Sequence, residues 1–353
     1  MSKKNKICIQ RCFDLARLGT GKVSPNPIVG AILSTPDKII GEGYHQEYGK
    51  SHAEVIAVQN SLFQNEKKLQ NSTIFVSLEP CNIQGKTPPC TELIMDHNIP
   101  KVIVSAIDQT KGVNFSGIQR LIDNGQKVQY GILQSKGNFL ARIRNTFVSR
   151  KRPYIILKYA QSADGYVSKK GEQTWLSNAF SKRLVHKWRS EVQAILVGTG
   201  TALIDNPRLN SRYYPGQSPI RITVDFQNKI PENAHLKNAT IPTWIYTISN
   251  QAISTPDSNT QYKYLKQKQD LITQICNDLY KEKHNTLLVE GGPSLLKSFI
   301  DADLWDEARI IQSSNSLHTG LIAPNLKGIE ISKFSLDNDQ IRLILSPNNV
   351  IYS

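Results

Sequence analysis

The order of apolar and polar positions along the chain predicts two successive alternations of strands and helices. Short continuous apolar runs are typical of buried strands, and apolar residues that recur at helical spacing are typical of amphipathic helices. In the first part of the chain, a hairpin is followed by alternating helices and strands. The predicted strands are PIVGAIL, KIIGEGY, TIFVSL, KVIVSA and KVQYGI, and the predicted helices are ICIQRCFDLARLG, SHAEVIAVQNSLF, TELIMDHN and GIQRLIDNG.

The second alternation follows a basic segment and begins with PYIILKYAQSADG. Further strands are predicted at AILVGTG, IRITVDF, PTWIYTI and TLLVE, with a polar stretch over 250–260. Helices are predicted over 177–191 and 264–281 and after the GGP turn at 291–293, and β-rich segments close the chain. Alternating strands and helices fold as a sheet between helical layers. We therefore predict two α/β domains, over 1–145 and 146–353.

The composition is that of a globular protein and narrows the functional classes. The chain has 353 residues, of which 39% are hydrophobic and 20% charged, so disordered and fibrous classes are excluded. No apolar stretch is long enough to cross a bilayer, and the N-terminal segment turns polar before a signal-like apolar core forms. Five cysteines in this length are too few for a disulfide framework. We expect a cytoplasmic protein with no membrane association.

The net charge of +14 first suggests a nucleic-acid partner or another anion. The charge is evenly divided, because 18 basic and 11 acidic residues precede position 146 and 25 basic and 18 acidic residues follow. The densest basic segment, Arg142–Lys158, is either a solvated connector between domains or an anion-binding surface. The even division leaves no concentrated basic arm of the kind that binds nucleic acid, and we expect no nucleic-acid partner.

The strongest chemical signal is the set of His52, Cys81 and Cys90. One imidazole and two thiolates suit zinc, and three protein ligands leave a fourth position for water, as in catalytic zinc sites. Glu54 stands in the same first helical turn as the histidine, where a carboxylate can move protons between water and a leaving amine. Both cysteines lie where a strand or turn leads into a helix, whose positive N-terminus lowers the pKa of a thiol.

Structural interpretations of these residues compete with the zinc hypothesis. Ser51 and Glu54 fit an S-x-x-E capping box, and a lone histidine at a helix start is usually structural. The coincidence of H-x-E with two later Pro-Cys dipeptides favours zinc, because zinc nucleobase deaminases carry this pattern. The other cysteines, Cys8, Cys12 and Cys276, are predicted to be small core residues.

One detail distinguishes this chain from other deaminases of that kind. The usual signature spaces its cysteines C-x-x-C, whereas Cys81 and Cys90 enclose eight residues, NIQGKTPP. This long loop, the HAE motif and the segment Pro25-Asn26-Pro27-Ile28-Val29-Gly30 together resemble the bifunctional deaminase/reductase family of riboflavin biosynthesis. The resemblance extends over nearly the whole chain, and its specificity comes from the long loop combined with the second domain.

The resemblance implies a cytidine-deaminase-like three-layer α/β/α first domain that deaminates a pyrimidine. By motif, His52, Cys81 and Cys90 would bind zinc, Glu54 would be catalytic, and the substrate would contact Asn26, His45 and Lys86, the last as a point charge for phosphate. The chain departs from the family where Ile83 replaces a histidine and where Asp108-Gln109-Thr110 replaces D-P-N-P. Both departures concern pyrimidine contacts and leave the zinc chemistry intact.

The second domain carries the segment LLVEGGPSLLKSF, in which Glu290 ends a strand and Gly291-Gly292 precede a helix. Such a turn either brings backbone N–H groups to an anion or is only a tight strand-to-helix connection. The resemblance continues through Lys158–Gly165, Gly171–Trp175 and Gly198–Leu209. It implies a dihydrofolate-reductase-like α/β reductase that binds NADPH without a G-x-G-x-x-G fingerprint.

The resemblance also implies the residues of this second site. Cofactor contacts would come from Ala160, Trp175, Thr201, Asp205, Gly292, Pro293, Ser294, Leu295, Leu296, Lys297 and Ser298. Substrate contacts would come from Gln173, Arg189, Leu209, Arg212 and Glu290, and the two arginines suit a 5′-phosphate. The candidates for proton transfer during the reduction are Lys158, Asp205 and Glu290. Phe226 stands where the family commonly has a small polar residue, which puts one cofactor contact in doubt.

The implied function is a bifunctional enzyme that uses Zn²⁺ and NADPH. It would deaminate 2,5-diamino-6-(5-phosphoribosylamino)pyrimidin-4(3H)-one by zinc-dependent hydrolysis and then reduce the ribosyl side chain to give 5-amino-6-(5-phosphoribitylamino)uracil. The expected partner is this small phosphorylated pyrimidine, and we expect a homo-oligomer. The alternatives are a nucleic-acid-editing zinc deaminase with an auxiliary binding domain, and a zinc-stabilised binding module without catalysis.

Overall fold

The two predicted alternations form two separate units in the computed structural model, which describes residues 2–63, 66–248 and 259–348. The first unit extends to Arg152 and the second begins at Pro153. Within the described residues, no helix is long and apolar enough to cross a membrane.

The first unit is built on a five-stranded sheet of order β2-β1-β3-β4-β5. Strand β1 is antiparallel to β2 and β3, whereas β3, β4 and β5 are parallel. All five predicted strands and all four predicted helices are confirmed, β5 being shorter than expected. The strands are β1 (Gly30–Ser34), β2 (Ile39–Tyr44), β3 (Thr73–Leu78), β4 (Lys101–Ala106) and β5 (Lys127–Gln129); the helices are α1 (Lys3–Arg17), α2 (Ala53–Leu62), α3 (Cys90–Asp96), α4 (Ser116–Asp123) and α5 (Gln134–Arg150), with a 3₁₀ segment at Glu66–Asn71.

Helices cover both faces of this sheet because its strands are apolar on both sides. Helix α1 buries Ile9 and Cys12 against one face, and Ala57 and Val58 of α2 belong to the core on the other face. Cys8, Cys12 and Cys276 are all buried, as predicted for core residues.

Of the two interpretations left open for the basic segment from Arg142, a solvated connector does not describe its first half. Its first half belongs to α5, which continues to Arg150 and ends at Lys151 in the left-handed conformation. Leu140, Ala141 and Phe147 are buried, at a spacing that places them on one side of a helix. This apolar spacing was available in the sequence, but the density of basic residues obscured it.

The second unit contains a nine-stranded sheet of order β11-β10-β9-β8-β12-β6-β13-β16-β15. In this spatial order the first seven strands are parallel to one another. Strand β16 is antiparallel to both of its neighbours, β13 and β15. Strands β7 and β14 form a separate pair. The strands are β6 (Tyr154–Gln161), β7 (Tyr166–Ser168), β8 (Ala194–Val197), β9 (Ile220–Val224), β10 (Thr243–Thr247), β11 (Thr260–Tyr264), β12 (Thr286–Val289), β13 (Glu307–Gln312), β14 (Leu321–Ile322), β15 (Ile329–Leu336) and β16 (Asp339–Leu345).

The helices of this unit are α6 (Ala179–Ser190), α7 (Thr199–Asp205), α8 (Leu271–Lys281) and α9 (Pro293–Asp301), with 3₁₀ segments at His235–Lys237 and Lys268–Asp270. Two features differ from the prediction. Helix α8 begins at Leu271 rather than at Tyr264, because residues 260–264 pair with β10 as an edge strand. Helix α7 was not predicted. Most of the predicted polar stretch, 250–258, lies outside the described residues.

Gly41 is required where β2 meets α2. A Cβ atom at this position would lie 2.1 Å from the carbonyl oxygen of Ala57. We expect Gly41→Ala to destabilise the first unit by about 1–3 kcal/mol, because backbone must shift to admit the methyl group. Hydrogen exchange measured by mass spectrometry should become faster in peptides of β1, β2 and α2. Gly85→Ala, where a Cβ would approach nothing closer than 4.0 Å, is the matched control and should leave exchange unchanged.

Candidate active sites

The three predicted zinc ligands lie together where β3, α2 and α3 begin or end. His52 is the residue that precedes α2, Cys81 follows β3 by three positions, and Cys90 is the first residue of α3. Cys81 lies just after a buried strand, and the other two ligands lie at the starts of helices that pack on the same sheet. The packing of these elements therefore holds all three ligands in place.

The distances among the ligand atoms fit a tetrahedral metal. His52 Nδ1 lies 3.5 Å from Cys81 Sγ and 3.3 Å from Cys90 Sγ, and all three ligand atoms lie within 4.8 Å of one another. Tetrahedral zinc at its usual bond lengths separates nitrogen and sulfur ligands by about 3.5 Å. Nδ1 is therefore the ligand nitrogen. The other ring nitrogen, Nε2, lies 3.4 Å from the hydroxyl of Thr87 in the long loop, a contact that orients a metal-binding imidazole.

The two thiols differ in acidity. A hydrogen bond from Cys90, together with His52, lowers the pKa of Cys81 to about 4, and the backbone N–H of Cys90 also donates to its sulfur over 3.4 Å. The hydrogen bond to Cys81 and burial raise the pKa of Cys90. The expectation that helix N-termini lower both thiol pKa values is therefore wrong for Cys90, and at Cys81 the neighbouring thiol and His52 lower the pKa more than the backbone N–H does.

Glu54 is buried beside the ligands, with 3% of its surface exposed. Burial raises the pKa of its carboxyl group to about 7, so the group exchanges a proton readily near neutral pH. The capping-box interpretation is wrong: the N-cap of α2 is His52, and no side chain caps the helix.

A cavity of about 280 Å³ opens over Glu54 and contains the predicted substrate residues Asn26, His45 and Lys86 in its wall. His45 is buried, and burial lowers its pKa. Its Nδ1 lies 3.0 Å from the carbonyl oxygen of Ser51, so Nδ1 carries the proton, and its Nε2 accepts from the amide nitrogen of Asn26 over 3.1 Å. His45 therefore orients Asn26.

Two positions at which the chain departs from the family pattern lie in the cavity wall. Ile83 and Thr110 both line the cavity. Arg144 lines it too and donates to the Thr110 hydroxyl over 3.1 Å. The sequence did not indicate Arg144 as a cavity residue, because its contact with Thr110, 34 positions earlier, forms only in the fold. Lys86 lies over the Tyr48 ring at 4.1 Å, which holds the long loop against the segment before α2.

Glu79, two positions before Cys81, was also missed. Its carboxylate is 4% exposed and accepts hydrogen bonds from four backbone N–H groups. These belong to Asp108, Phe115, Gly117 and Ile118, at 2.9–3.4 Å. Glu79 thus fixes the segment between β4 and α4, which forms one wall of the cavity.

In the second unit, a cleft lies at the carboxyl ends of the parallel strands, where ligands bind in open α/β sheets. It has two parts, of about 340 Å³ and 600 Å³, which share several wall residues. The shared residues include Lys158, Trp175, Thr201, Asp205 and Glu290.

A buried charge network lies where the two parts meet. Arg189 donates two hydrogen bonds to the Glu290 carboxylate, at 2.9 and 2.8 Å, and Lys158 Nζ lies 3.5 Å from the same group. Burial raises the pKa of Glu290, but the two cations outweigh it and hold the pKa at about 2. Glu290 is therefore ionised at neutral pH, and Arg189 is already paired.

The predicted substrate residues of this unit all line the smaller part of the cleft: Gln173, Arg189, Leu209, Arg212 and Glu290. Most predicted cofactor residues line the larger part: Ala160, Trp175, Thr201, Asp205, Gly292, Pro293, Ser294, Leu295 and Ser298. Leu296 and Lys297 do not. The Leu296 side chain is buried in the core, and Lys297 is exposed and paired with Asp301. Both project from α9 away from the cleft.

The larger part of the cleft has room for a dinucleotide beside its glycine turns. A Cβ atom at Gly200 would meet no atom within 4 Å, and one at Gly292 would meet only the Thr201 hydroxyl at 4.0 Å. Open space therefore adjoins the backbone at both turns. Such a backbone cradle suits the pyrophosphate of NADPH.

Comparisons with known proteins agree with both sites. The first unit matches the cytidine and deoxycytidylate deaminase zinc-binding region over residues 2–106, and the second matches the RibD C-terminal domain over residues 153–317. RibD of Aquifex aeolicus is 32% identical over 90% of this chain and 89% of its own length. RibD of Haemophilus influenzae is 30% identical over 99% of both chains.

A solved structure from Thermotoga maritima, a diaminohydroxyphosphoribosylaminopyrimidine deaminase/5-amino-6-(5-phosphoribosylamino)uracil reductase, is similar over 97% of this chain and 98% of its own. Its TM-score is 0.88 at 28% identity. The fold and the two sites thus define a zinc-dependent deaminase joined to an NADPH-dependent reductase. The chain belongs to the RibD family of bifunctional riboflavin biosynthesis proteins, which confirms the family, fold and cofactors predicted from the sequence.

We expect His52→Ala, Cys81→Ala and Cys90→Ala each to remove bound zinc, because two remaining ligands hold the metal weakly. Metal content of the purified protein, measured by mass spectrometry, checks this. Cys8→Ala, which changes a buried cysteine of the α1 core, is the control and should retain zinc. Zinc retained by all three ligand variants would contradict the site.

We expect Glu290→Gln to destabilise the second unit by about 3 kcal/mol at neutral pH, the value that corresponds to a pKa lowered from 4.5 to about 2. Because the folded-state pKa is the lower one, this stability is present above about pH 4.5 and is lost as the pH falls towards 2. Denaturant unfolding followed by tryptophan fluorescence measures it, since all four tryptophans lie in this unit: Trp175, Trp188, Trp244 and Trp305.

The control for this measurement is Glu330→Gln, which breaks a partly exposed pair with Arg342. Surface pairs of this kind contribute about 1 kcal/mol or less. A difference between wild type and Glu290→Gln that does not change between about pH 5 and pH 2 would contradict the assignment.

Proposed function

We propose that the first unit deaminates 2,5-diamino-6-(5-phosphoribosylamino)pyrimidin-4(3H)-one and that the second unit reduces the ribosyl side chain of the product to 5-amino-6-(5-phosphoribitylamino)uracil. The observation that carries the proposal is the pairing of a His-Cys-Cys site, next to a buried glutamate, with a cleft at the carboxyl ends of a parallel sheet. The name of the Thermotoga maritima protein, which states both activities, supports it.

In the deaminase cavity, zinc held by His52, Cys81 and Cys90 would supply the Lewis acidity that makes water nucleophilic at neutral pH. Glu54 takes up a proton and delivers it to the departing amino group, because its pKa of about 7 lets it exist in both forms. Asn26 hydrogen-bonds the pyrimidine through its side-chain oxygen, since its nitrogen is engaged by His45. Lys86 lies in the cavity wall and attracts the 5′-phosphate.

In the reductase cleft, NADPH would supply the hydride to C1′ of the ring-opened ribosyl group. The reduced product also needs a proton. Glu290 is ionised because its pKa is about 2, so it stabilises positive charge near the reacting carbon rather than donating a proton. Burial raises the pKa of Asp205, which favours Asp205 over Glu290 as a proton donor. Lys158, in the same wall, is the other candidate.

Arg212 is better placed than Arg189 for the 5′-phosphate in this cleft. Arg189 is already paired with Glu290, whereas Arg212 lines the smaller part of the cleft, where it contacts the uncharged side chains of Asn210 and Tyr213 and forms no ion pair among the described residues. The role of Arg189 is therefore to position Glu290, and Arg212 binds the phosphate bidentately.

We expect Glu54→Gln to abolish deamination while zinc content and NADPH-dependent reduction of the deaminated substrate are retained. The amide keeps the size of the side chain but cannot carry the proton. Mass spectrometry of the products separates the two reactions, because deamination adds about one mass unit and reduction adds about two more.

Glu42→Gln, which changes a carboxylate paired with Arg11 on the surface of the same unit, is the control and should leave both mass changes in place. Unchanged deamination by Glu54→Gln would contradict the role of the carboxylate. Salt-dependent binding of RNA without turnover of the pyrimidine would contradict the function itself.

A further inference from the structure

The larger part of the reductase cleft crosses the carboxyl ends of four adjacent parallel strands, in the order β9, β8, β12 and β6. Parallel strands lie about 4.8 Å apart, so four of them span about 15 Å, which suits an extended dinucleotide. One end of this span is defined by chemistry. The nicotinamide must lie near Lys158, within β6, and Glu290, directly after β12, because these residues also line the substrate part of the cleft.

The middle of the span suits the pyrophosphate. Gly291 and Gly292 follow β12, and together with Pro293 and Ser294 at the start of α9 they line the cleft. Gly198 to Thr201, which follow β8, line the same stretch. With the nicotinamide at β6 and β12 and the pyrophosphate at these turns, the adenosine end lies towards β9, where Val224 and Leu271 form the wall.

The residues that follow Val224 determine which charge the adenosine end meets. In dinucleotide sites that prefer NADH, an acidic side chain after a strand binds the ribose 2′-hydroxyl and disfavours a 2′-phosphate. Asp225 is in that place along the chain, but it is 2% exposed, and its carboxylate accepts from the backbone N–H groups of Lys229 and Ile230, both at 2.8 Å. Its charge is therefore directed into its own turn.

A cation lies beside this turn instead. Lys268, in the 3₁₀ segment that precedes Leu271, places its Nζ atom 5.4 Å from the centre of the Phe226 ring. Its side chain is exposed, and it forms no ion pair within the part of the chain that the structure describes. The aromatic face holds the ammonium group, without neutralising it, beside the turn that follows the cleft residue Val224.

We propose that Lys268, held over Phe226, binds the 2′-phosphate of NADPH and sets the preference of this reductase for NADPH over NADH. The proposal rests on the NADPH-dependent function of the second unit and adds the residue that distinguishes the two cofactors. A lysine suits this task as a point charge for a phosphate. Asp225 does not oppose it, because its carboxylate is bonded within its own turn and does not face the phosphate.

Binding to the zinc-loaded full-length protein, measured by titration calorimetry without substrate, tests the proposal. The probes are NADP⁺ and NAD⁺, and the fragments 2′,5′-ADP and 5′-ADP. We expect Lys268→Ala to weaken NADP⁺ and 2′,5′-ADP by about tenfold or more, the usual effect of losing one charged hydrogen bond. The affinity for NAD⁺ and 5′-ADP should not change.

Two further variants complete the test. Lys266→Ala removes an exposed lysine two positions earlier and should leave all four affinities unchanged. Phe226→Leu keeps an apolar side chain but removes the aromatic face, and it should reduce the preference for NADP⁺ by less than Lys268→Ala does. Tryptophan fluorescence verifies that each variant is folded.

Equal weakening of NADP⁺ and NAD⁺ by Lys268→Ala would overturn the proposal, because it would show a role unrelated to the 2′-phosphate. An unchanged affinity for NADP⁺ would overturn it as well. A wild-type protein that binds neither cofactor would contradict the reductase function itself, and thereby the proposal that depends on it.

Discussion

Parallel strands end at one edge of a sheet, and both active sites of this protein depend on that constraint. In the first unit, Cys81 follows β3 and the segment fixed by Glu79 follows β4, the next strand. In the second unit, the segments after β8 and β12 and the last residue of β9, Val224, line one cleft. Residues far apart in sequence meet because the hydrogen bonding between strands brings their ends together.

Two buried glutamates illustrate how the surroundings of a carboxyl group select its role. Among the protein's own side chains, only His52 opposes the burial of Glu54 with positive charge, so the pKa of Glu54 rises to about 7 and the group can carry a proton. Glu290 is equally enclosed, but Arg189 and Lys158 hold its pKa at about 2 and it stays charged. The same side chain thus serves proton transfer in one unit and charge stabilisation in the other.

The apolar pattern was sufficient to predict the layers and most strands, and the H-x-E and Pro-Cys motifs indicated the zinc ligands, because each depends on local residue types and spacing. It was insufficient where a distant partner decides the outcome. Residues 260–264 form a strand because β10 pairs with them, and Leu296 faces the core because the sheet lies beneath α9. The bond from Arg189 to Glu290, 101 positions later, leaves no trace in the sequence. Glu79 and Arg144 were missed for the same reason.

The zinc ligands come from three elements that adjoin only in the folded unit, and Thr87 in the long loop also contacts His52. An unfolded chain therefore offers no comparable binding site. Because zinc binds only the native state, it shifts the folding equilibrium towards that state. The free energy of unfolding therefore increases with the logarithm of the free zinc concentration. Zinc supply to a cell consequently sets how long this unit survives proteolysis, as well as whether it reacts. Starvation for the metal would reduce the amount of enzyme before any regulator acted.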